Sequence, residues 1–332
     1  MRNNKRNGGN LNELRLFTGR AHPELATEIA DLLKVSLGGL RLDTFPDSET
    51  HVQIEESVRG KDIFIIQPTC PPVNENLMEL LIMIDAFKRA SAGPVTAIIP
   101  YYGYGRQDRK STGREPISAR LVADLLEIAG ADRVVTMDLH ASQIQGFFNI
   151  PVDHLTAITT IAQYYREKKL SSAVVVSPDV GRAKVAEKYA QILDLPMVLM
   201  HKRRDGVGGK KVEVVEIVGD VKGKTPIIVD DLIAGGSIIG QARTLVRAGS
   251  EPVYIAATHG ILVGNALELL AEDCVRELIV TNTVPVPEEK RRALPKLEVL
   301  SIAPLLAKVI KNVHEGKSVS EVFHEFGINF AV

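Results

Sequence analysis

Short apolar runs alternate with amphipathic stretches along nearly the whole chain, and this alternation constrains the fold more than any other feature. Asp62 to Gln67, Val95 to Pro100, Arg133 to Leu139, Ala173 to Ser177, Met197 to Met200, Val212 to Val218, Val253 to Thr258 and Glu277 to Val280 read as strands. His22 to Leu33, Asn74 to Ala90, Pro116 to Ala129, Ala157 to Lys168 and Val180 to Ile192 read as helices between them, and His201 to Lys211 as a charged, glycine-bearing loop. In the first helix Leu25, Ile29, Leu32 and Leu33 share one face, with Pro23 in the opening turn. In the second, Leu77, Leu80, Leu81, Ile84 and Phe87 make a broad apolar face for core or subunit contact. Ala303 to His314 and Val319 to Phe326 add two terminal helices. Strand and helix in turn predict an α/β fold with a mainly parallel sheet.

A chain of 332 residues is long enough for two domains. The run Phe147-Phe148-Asn149-Ile150-Pro151 interrupts the alternation, which sets the break near Ile150 to Asp153. The formal net charge of −1 gives no broad surface for nucleic acid, so any anion site must come from a local cluster. Cys70 and Cys274 lie far apart without metal-ligand spacing, which fits a reducing cytoplasm and no disulfide framework. No apolar run reaches the length that crosses a membrane. Residues 1–10 are rich in Asn, Arg and Gly and read as a disordered tail without a secretory h-region.

In open α/β sheets, ligands bind beyond the carboxyl ends of strands. Asp138 with His140, Asp179, the Lys202 cluster, and Asp230 with Asp231 each follow an apolar run. The last pair is the most informative. Ile227 to Val229 reads as buried strand with the two acids at its end, Ala234-Gly235-Gly236-Ser237 as a small-residue turn, and Ile238 to Ala248 as a helix. Acids suit the hydroxyls of a sugar, and a small-residue turn into a helix N-terminus suits a phosphate. An ordinary βα turn also carries Gly and Asp for geometry alone, and on this stretch by itself the two readings weigh equally. Two other glycine motifs carry no site. Gly219 to Thr225 has three residues between its glycines where a P-loop needs four, and a strand follows it. Gly103-Tyr104-Gly105 leads into charged loop rather than the helix a dinucleotide fingerprint requires.

Three longer segments go beyond a generic pattern. They are Val73-Asn74-Glu75-Asn76-Leu77-Met78-Glu79-Leu80-Leu81-Ile82-Met83, then Pro100-Tyr101-Tyr102-Gly103-Tyr104-Gly105-Arg106-Gln107-Asp108-Arg109-Lys110, and Asp138-Leu139-His140-Ala141-Ser142-Gln143-Ile144-Gln145-Gly146-Phe147-Phe148. With Thr281-Asn282-Thr283 and Leu300 to Leu306, they make the sequence resemble the ribose-phosphate diphosphokinases, or phosphoribosyl pyrophosphate synthetases, from Leu14 to Phe323. The resemblance implies two phosphoribosyltransferase-type domains, each a mainly parallel sheet flanked by helices. It assigns residues 11–152 to an ATP-side domain, 153–302 to a ribose 5-phosphate-side domain, and 303–332 to terminal helices packing back on the first. It implies Mg²⁺-dependent transfer of the β,γ-diphosphoryl group of ATP to O1 of ribose 5-phosphate. It also implies a cytoplasmic homo-oligomer, commonly a hexamer built from dimers.

The resemblance assigns roles residue by residue. Lys202 matches the catalytic lysine, and Arg204 an arginine acting beside it near ribose 5-phosphate. His140 and Asp179 match Mg²⁺ positions. Asp179 suits the oxygen preference of that ion, whereas His140 is less natural for it and suits the ATP phosphates or a metal-bound water. Phe45, Asp47, Ser48 and Glu49 match the nucleotide segment, with Arg106 stacking on the base and Gln107 beside it. That pocket is shared between subunits, Phe45 holding the position of the neighbour's aromatic. Asp230 and Asp231 match acceptors for ribose hydroxyls, and Ala234, Gly235, Gly236 and Ser237 the 5-phosphate loop. Phosphate and ADP are the implied effectors, with Ser318 and Ser320 near their site.

The same residues have plainer uses. Lys202 to Arg204 would also serve as a solvated charge run on a hairpin, His140 as a hydrogen-bonded histidine after a strand, and Asp47 and Ser48 as turn residues. The chain also departs from the family pattern. Its sugar loop is one residue shorter and lacks a third acid and a threonine, and Ser48 stands where glycine is usual, which predicts a changed backbone angle. Two further readings stay open: a catalytically weak regulatory or assembly subunit, and a phosphoribosyltransferase that consumes the diphosphate product.

Overall fold

The computed structural model describes residues 13–207 and 210–324, without the side chains of 202–215 and 323–324. The tail expected at 1–10, and Glu325 and Phe326 of the expected last helix, lie outside the described residues. The chain divides into two compact units, one of residues 1–156, 283–285 and 301–332, the other of 157–282 and 286–300.

The first unit contains, in chain order, β1 (Leu14–Thr18), α1 (Pro23–Leu33), β2 (Leu40–Thr44), β3 (Thr50–Ile54), β4 (Asp62–Ile66), α2 (Val73–Arg89), β5 (Val95–Ile99), α3 (Ser118–Ala129), β6 (Arg133–Met137) and β7 (Val152–Leu155). Five strands form one parallel sheet in the order β1-β4-β5-β6-β7, and β2 and β3 form a separate antiparallel hairpin. Every residue of β5 is buried, the signature of a strand covered on both faces by helices. Helix α1 starts where Pro23 needs no N–H partner and where the His22 ring accepts from the Leu25 N–H at 3.4 Å. Helix α3 stops at Gly130, whose φ of 109° a side chain would resist. Between them Phe17, Ile63, Ile65, Leu80, Ile84, Phe87, Ala123 and Leu126 build the core, with the Phe17 and Phe87 ring centroids 4.5 Å apart.

The second unit runs through α4 (Ile158–Lys168), β8 (Ala173–Ser177), α5 (Ala183–Leu193), β9 (Met197–Val207), β10 (Lys210–Val218), β11 (Thr225–Ile233), α6 (Ile239–Arg247), β12 (Val253–Gly260), α7 (Ala266–Leu270), β13 (Val275–Thr281), α8 (Glu288–Ala293) and β14 (Leu297–Leu300). Its seven strands lie in the order β10-β9-β8-β11-β12-β13-β14, parallel except where β10 meets β9. Val174, Val176, Ile228, Ile255, Leu278, Ile239 and Leu245 fill this core. The chain then returns to the first unit as α9 (Ala303–Glu315) and α10 (Ser320–His324). Helix α9 packs on α1, the Ser301 hydroxyl donates to Glu28 at 2.6 Å, and His314 Nδ1 lies 2.8 Å from Asp62 Oδ2.

The α/β class and the mainly parallel sheets agree with the sequence, and three local expectations are corrected. Residues 201–211 were expected to be a charged loop, yet β9 continues to Val207 and pairs antiparallel with β10, Lys202 opposite Val215 and Arg204 opposite Glu213. A hairpin arm as polar as Lys202 to Asp205 has no apolar alternation to announce it. Asp230 and Asp231 were expected at a strand end, yet β11 runs through both to Ile233, because β12 extends to Gly260 and supplies pairing partners. The helix expected from Val180 opens as a 3₁₀ turn, Val180–Arg182, before α5 proper. Among the described residues no helix is long and apolar enough to cross a membrane.

Candidate functional site

In the second unit β9, β8, β11 and β12 stand side by side, so whatever follows their carboxyl ends shares one edge of the sheet. Strand β8 ends at Ser177, whose hydroxyl donates to the Asp179 carbonyl at 2.7 Å. The Asp179 carboxylate caps the next turn, accepting the Arg182 N–H at 3.1 Å. That turn aims the Arg182 side chain at β11. Its Nε is 3.1 Å from Asp230 Oδ1 and its Nη2 2.6 Å from Asp231 Oδ1, with only 15% of the arginine side chain exposed. Asp230 Oδ1 also accepts the Asp231 N–H at 2.8 Å. Burial, and then the neighbouring Asp231 carboxyl, push the Asp230 pKa up to about 7 against the opposing pull of Arg182.

The turn after β11 is built for close approach. Gly236 is buried at φ 78°, and a Cβ there would lie 3.1 Å from Leu269 Cδ1 and 3.2 Å from Ala266 Cα. Gly235 and Ser237 are exposed. The carbonyls of Ala234, Gly236 and Ser237 accept from Val263, Ile239 and Gly240, at 3.0, 3.1 and 3.3 Å. Among the described residues, no backbone carbonyl accepts the N–H groups of Gly235, Gly236, Ser237 or Ile238. A run of such donors at a helix start is a ready anion cradle. The backbones of Lys202 and Arg204 lie in β9, past its last pairing with β8 at Leu199; their side chains lie outside the described residues.

In the first unit the expected nucleotide residues also gather at carboxyl ends of strands. Phe45 to Glu49 form the exposed tip between β2 and β3, closed by Phe45 N–H to the Glu49 carbonyl and Ser48 N–H to the Phe45 carbonyl, both 2.8 Å. The Asp47 carboxylate accepts the Glu49 N–H at 3.2 Å, and Phe45, 46% exposed, rests on His51 with centroids 5.2 Å apart. Ser48 holds φ 75°, so the serine adopts the left-handed backbone that a glycine would take more easily.

A polar chain moors this hairpin to the sheet. Buried Glu79 accepts the Arg20 backbone N–H at 2.7 Å, its guanidinium, and Gln67 Nε2 at 3.0 Å, while Arg20 Nη1 donates to Thr44 Oγ1 at 2.7 Å. Arg106 and Gln107 follow β5 on an exposed loop. Gln107 is tied to the start of α3 by Ser118 Oγ at 2.6 Å and by the Ala119 N–H at 3.2 Å. His140 follows β6, the next strand over, and is exposed; the preceding Leu139 N–H donates to His154 Nε2 at 2.9 Å. Ser318, in the link between α9 and α10, and Ser320, at the start of α10, are exposed.

The fold thus brings Asp179, the last part of β11 with Asp230 and Asp231, and the 234–237 turn to one edge of the sheet in one unit, and Arg106, Gln107 and His140 beyond neighbouring strands in the other. Arg182 is the residue that sequence reading did not single out. Its segment reads as an ordinary helix start, and only the pairing of β8 with β11 sets it against the acids. Among the described residues, no three His, Cys, Asp or Glu side chains cluster closely enough to hold a metal ion by themselves.

Comparison with known proteins gives one answer. The family model for the N-terminal domain of ribose phosphate pyrophosphokinase matches residues 14–130, and that for the phosphoribosyl synthetase-associated domain matches 206–324. The ribose-phosphate pyrophosphokinase of Caldanaerobacter subterraneus subsp. tengcongensis is 52% identical over 314 residues, which is 94% of this chain and 98% of the relative. That of Bacillus subtilis is 49% identical over 93% of this chain and 97% of its own length. The crystal structure of phosphoribosylpyrophosphate synthetase from Mycobacterium smegmatis superposes with a TM-score of 0.86 at 51% identity, covering 91% of this chain and 99% of that one. By sequence along its length and by fold, the chain belongs to the ribose-phosphate pyrophosphokinases, the family of phosphoribosylpyrophosphate synthetases.

Proposed function

We propose that the chain transfers the β,γ-diphosphoryl group of ATP to O1 of ribose 5-phosphate, giving 5-phosphoribosyl 1-diphosphate and AMP. The observation that carries the ribose side is the pairing, on one strand and its turn, of two carboxylates with a row of N–H groups. Asp230 and Asp231 accept the sugar hydroxyls, and Ala234, Gly235, Gly236 and Ser237 cradle the 5-phosphate. The turn is short, but phosphate recognition needs its N–H groups rather than the acid and threonine it lacks.

On the nucleotide side Asp47 and Glu49 accept from the adenine amino group, Ser48 holds the tip, and Arg106 lays its planar guanidinium on the base with Gln107 beside it. Phe45 stands exposed for the base bound to a neighbouring subunit, which ties activity to a homo-oligomer, a hexamer built from dimers. Lys202 and Arg204 supply positive charge where the transferring oxygens gain negative charge, the main requirement of phosphoryl-group transfer.

Mg²⁺ fits part of this donor set. Exposed Asp179 offers carboxylate oxygen, whereas the His140 imidazole is better suited to a phosphate or a metal-bound water. With no protein-only cluster among the described residues, the ion would be held by Asp179 together with substrate phosphates and water. When bound, it neutralises phosphate charge. Phosphate and ADP are the effectors that go with this reading, near Ser318 and Ser320.

The test is AMP release from ATP, Mg²⁺ and ribose 5-phosphate. Lys202→Ala is expected to keep the fold, by circular dichroism, and lose about a hundredfold or more in kcat. Asp230→Asn is expected to raise KM for ribose 5-phosphate more than KM for ATP. Near-parental kcat in the first, or equal KM changes in the second, contradicts the assignment.

A further inference from the structure

Successive side chains of a β-strand point to opposite faces of its sheet, so two adjacent acids cannot meet one ligand through strand geometry alone. Asp230 and Asp231 are adjacent within β11, and yet both carboxylates reach the same guanidinium. We propose that Arg182 is a positioning residue of the ribose half-site, drawing the Asp230 and Asp231 carboxylates together into the single acceptor that receives the sugar hydroxyls. The inference rests on the reading of these acids as the ribose half-site.

Three features support the role. The arginine fork is rigid and planar, so Nε and Nη2 can each serve a different carboxylate, at 3.1 and 2.6 Å, in a fixed relative orientation. Arg182 is itself anchored, since its backbone N–H is held by the Asp179 carboxylate. One residue therefore joins the carboxylate proposed for the metal to the pair proposed for the sugar. Finally, Asp231 is 9% exposed, and two near-buried acids side by side need a countercharge to stay together.

Steady-state kinetics of AMP release decides the matter. Arg182→Ala is expected to raise KM for ribose 5-phosphate about tenfold or more while KM for ATP moves less than about twofold. Added guanidinium ion, below denaturing concentration, is expected to recover part of the ribose 5-phosphate affinity. Arg182→Lys keeps the charge without the fork and is expected to fall between parent and alanine. An unchanged ribose 5-phosphate KM, or equal rises in both KM values, overturns the proposal.

Asp230→Asn measured alongside separates the two levels. If it leaves the ribose 5-phosphate KM unchanged, the ribose reading itself fails. If it raises that KM while Arg182→Ala does not, only the role of Arg182 fails. Should the alanine variant not fold in a thermal melt, the lysine variant carries the same test, and a parental ribose 5-phosphate KM in it overturns the need for a fork.

Discussion

Asp230 works against folding. Its carboxyl is pushed up to about 7 by burial first and by Asp231 second, so the folded protein binds a proton there that the unfolded chain gives up at ordinary carboxylate pH. Where the folded pKa is the higher one, the stability it contributes is full below the unfolded value and is lost as pH rises through the folded value. Stability from this residue therefore declines as pH rises from the ordinary carboxylate range toward about 7. Asp230→Asn is expected to melt higher than parent at pH 8, with the difference shrinking toward pH 4; a constant difference would contradict this. The neighbouring turn makes a second residue-scale prediction. Gly236→Ala meets both a positive φ and atoms 3.1 and 3.2 Å away, and is expected to lower stability by about 1–3 kcal/mol and to weaken ribose 5-phosphate binding. The acids and glycines of this candidate site stood out in the sequence because the sugar phosphate proposed for it asks for those residue types. Arg182 was not, because its meaning depends on which strand lies beside which.

At the scale of elements, periodicity found continuous apolar faces and missed several short or more polar strands. Helices α1, α2 and α9 and strands β4, β5 and β8 have continuous apolar faces, and the sequence located all six to within a few residues. Strands β1, β2, β3, β7 and β14 went unread. β2 and β3 carry Asp43, Thr44, Thr50 and His51 with partial exposure, and β7 holds Asp153 and His154 at the edge of its sheet. Strand β9 continued into residues expected to be loop for the same reason. The loop after β5, proposed for the nucleotide, depends on one close approach. A Cβ on Gly103 would lie 2.4 Å from the Thr69 carbonyl oxygen and 2.9 Å from Val73 Cγ1, and the Gly103 N–H donates to Thr69 Oγ1 at 2.7 Å. Gly103→Ala is therefore expected to displace the loop that bears Arg106 and Gln107. The measurement is KM for ATP, expected to rise several-fold with KM for ribose 5-phosphate near parental.

At the scale of the molecule, the first unit is not a continuous piece of chain. Residues 301–332 close it after the second unit has been threaded in between. Leu305, Leu306, Val309 and Ile310 of α9 are at most 2% exposed. At about 1.5–3 kcal/mol for each buried side chain, these four represent roughly 6–12 kcal/mol, comparable to the roughly 5–15 kcal/mol that holds a whole domain folded. A chain ending at Leu300 is expected to lose cooperative melting in its first unit and to aggregate, whereas Leu306→Ala is expected to cost about 2–5 kcal/mol and still fold. Both are read by thermal melts and by size-exclusion chromatography. The same layout sets an order of events during synthesis. The ribosome delivers the sheet of the first unit early, then makes all of the second unit, and only then releases the helix that covers α1. A half-made chain therefore holds one unit ready to fold beside another whose apolar flank waits for the last few turns of helix. A pause in translation near residue 300 would leave that flank open.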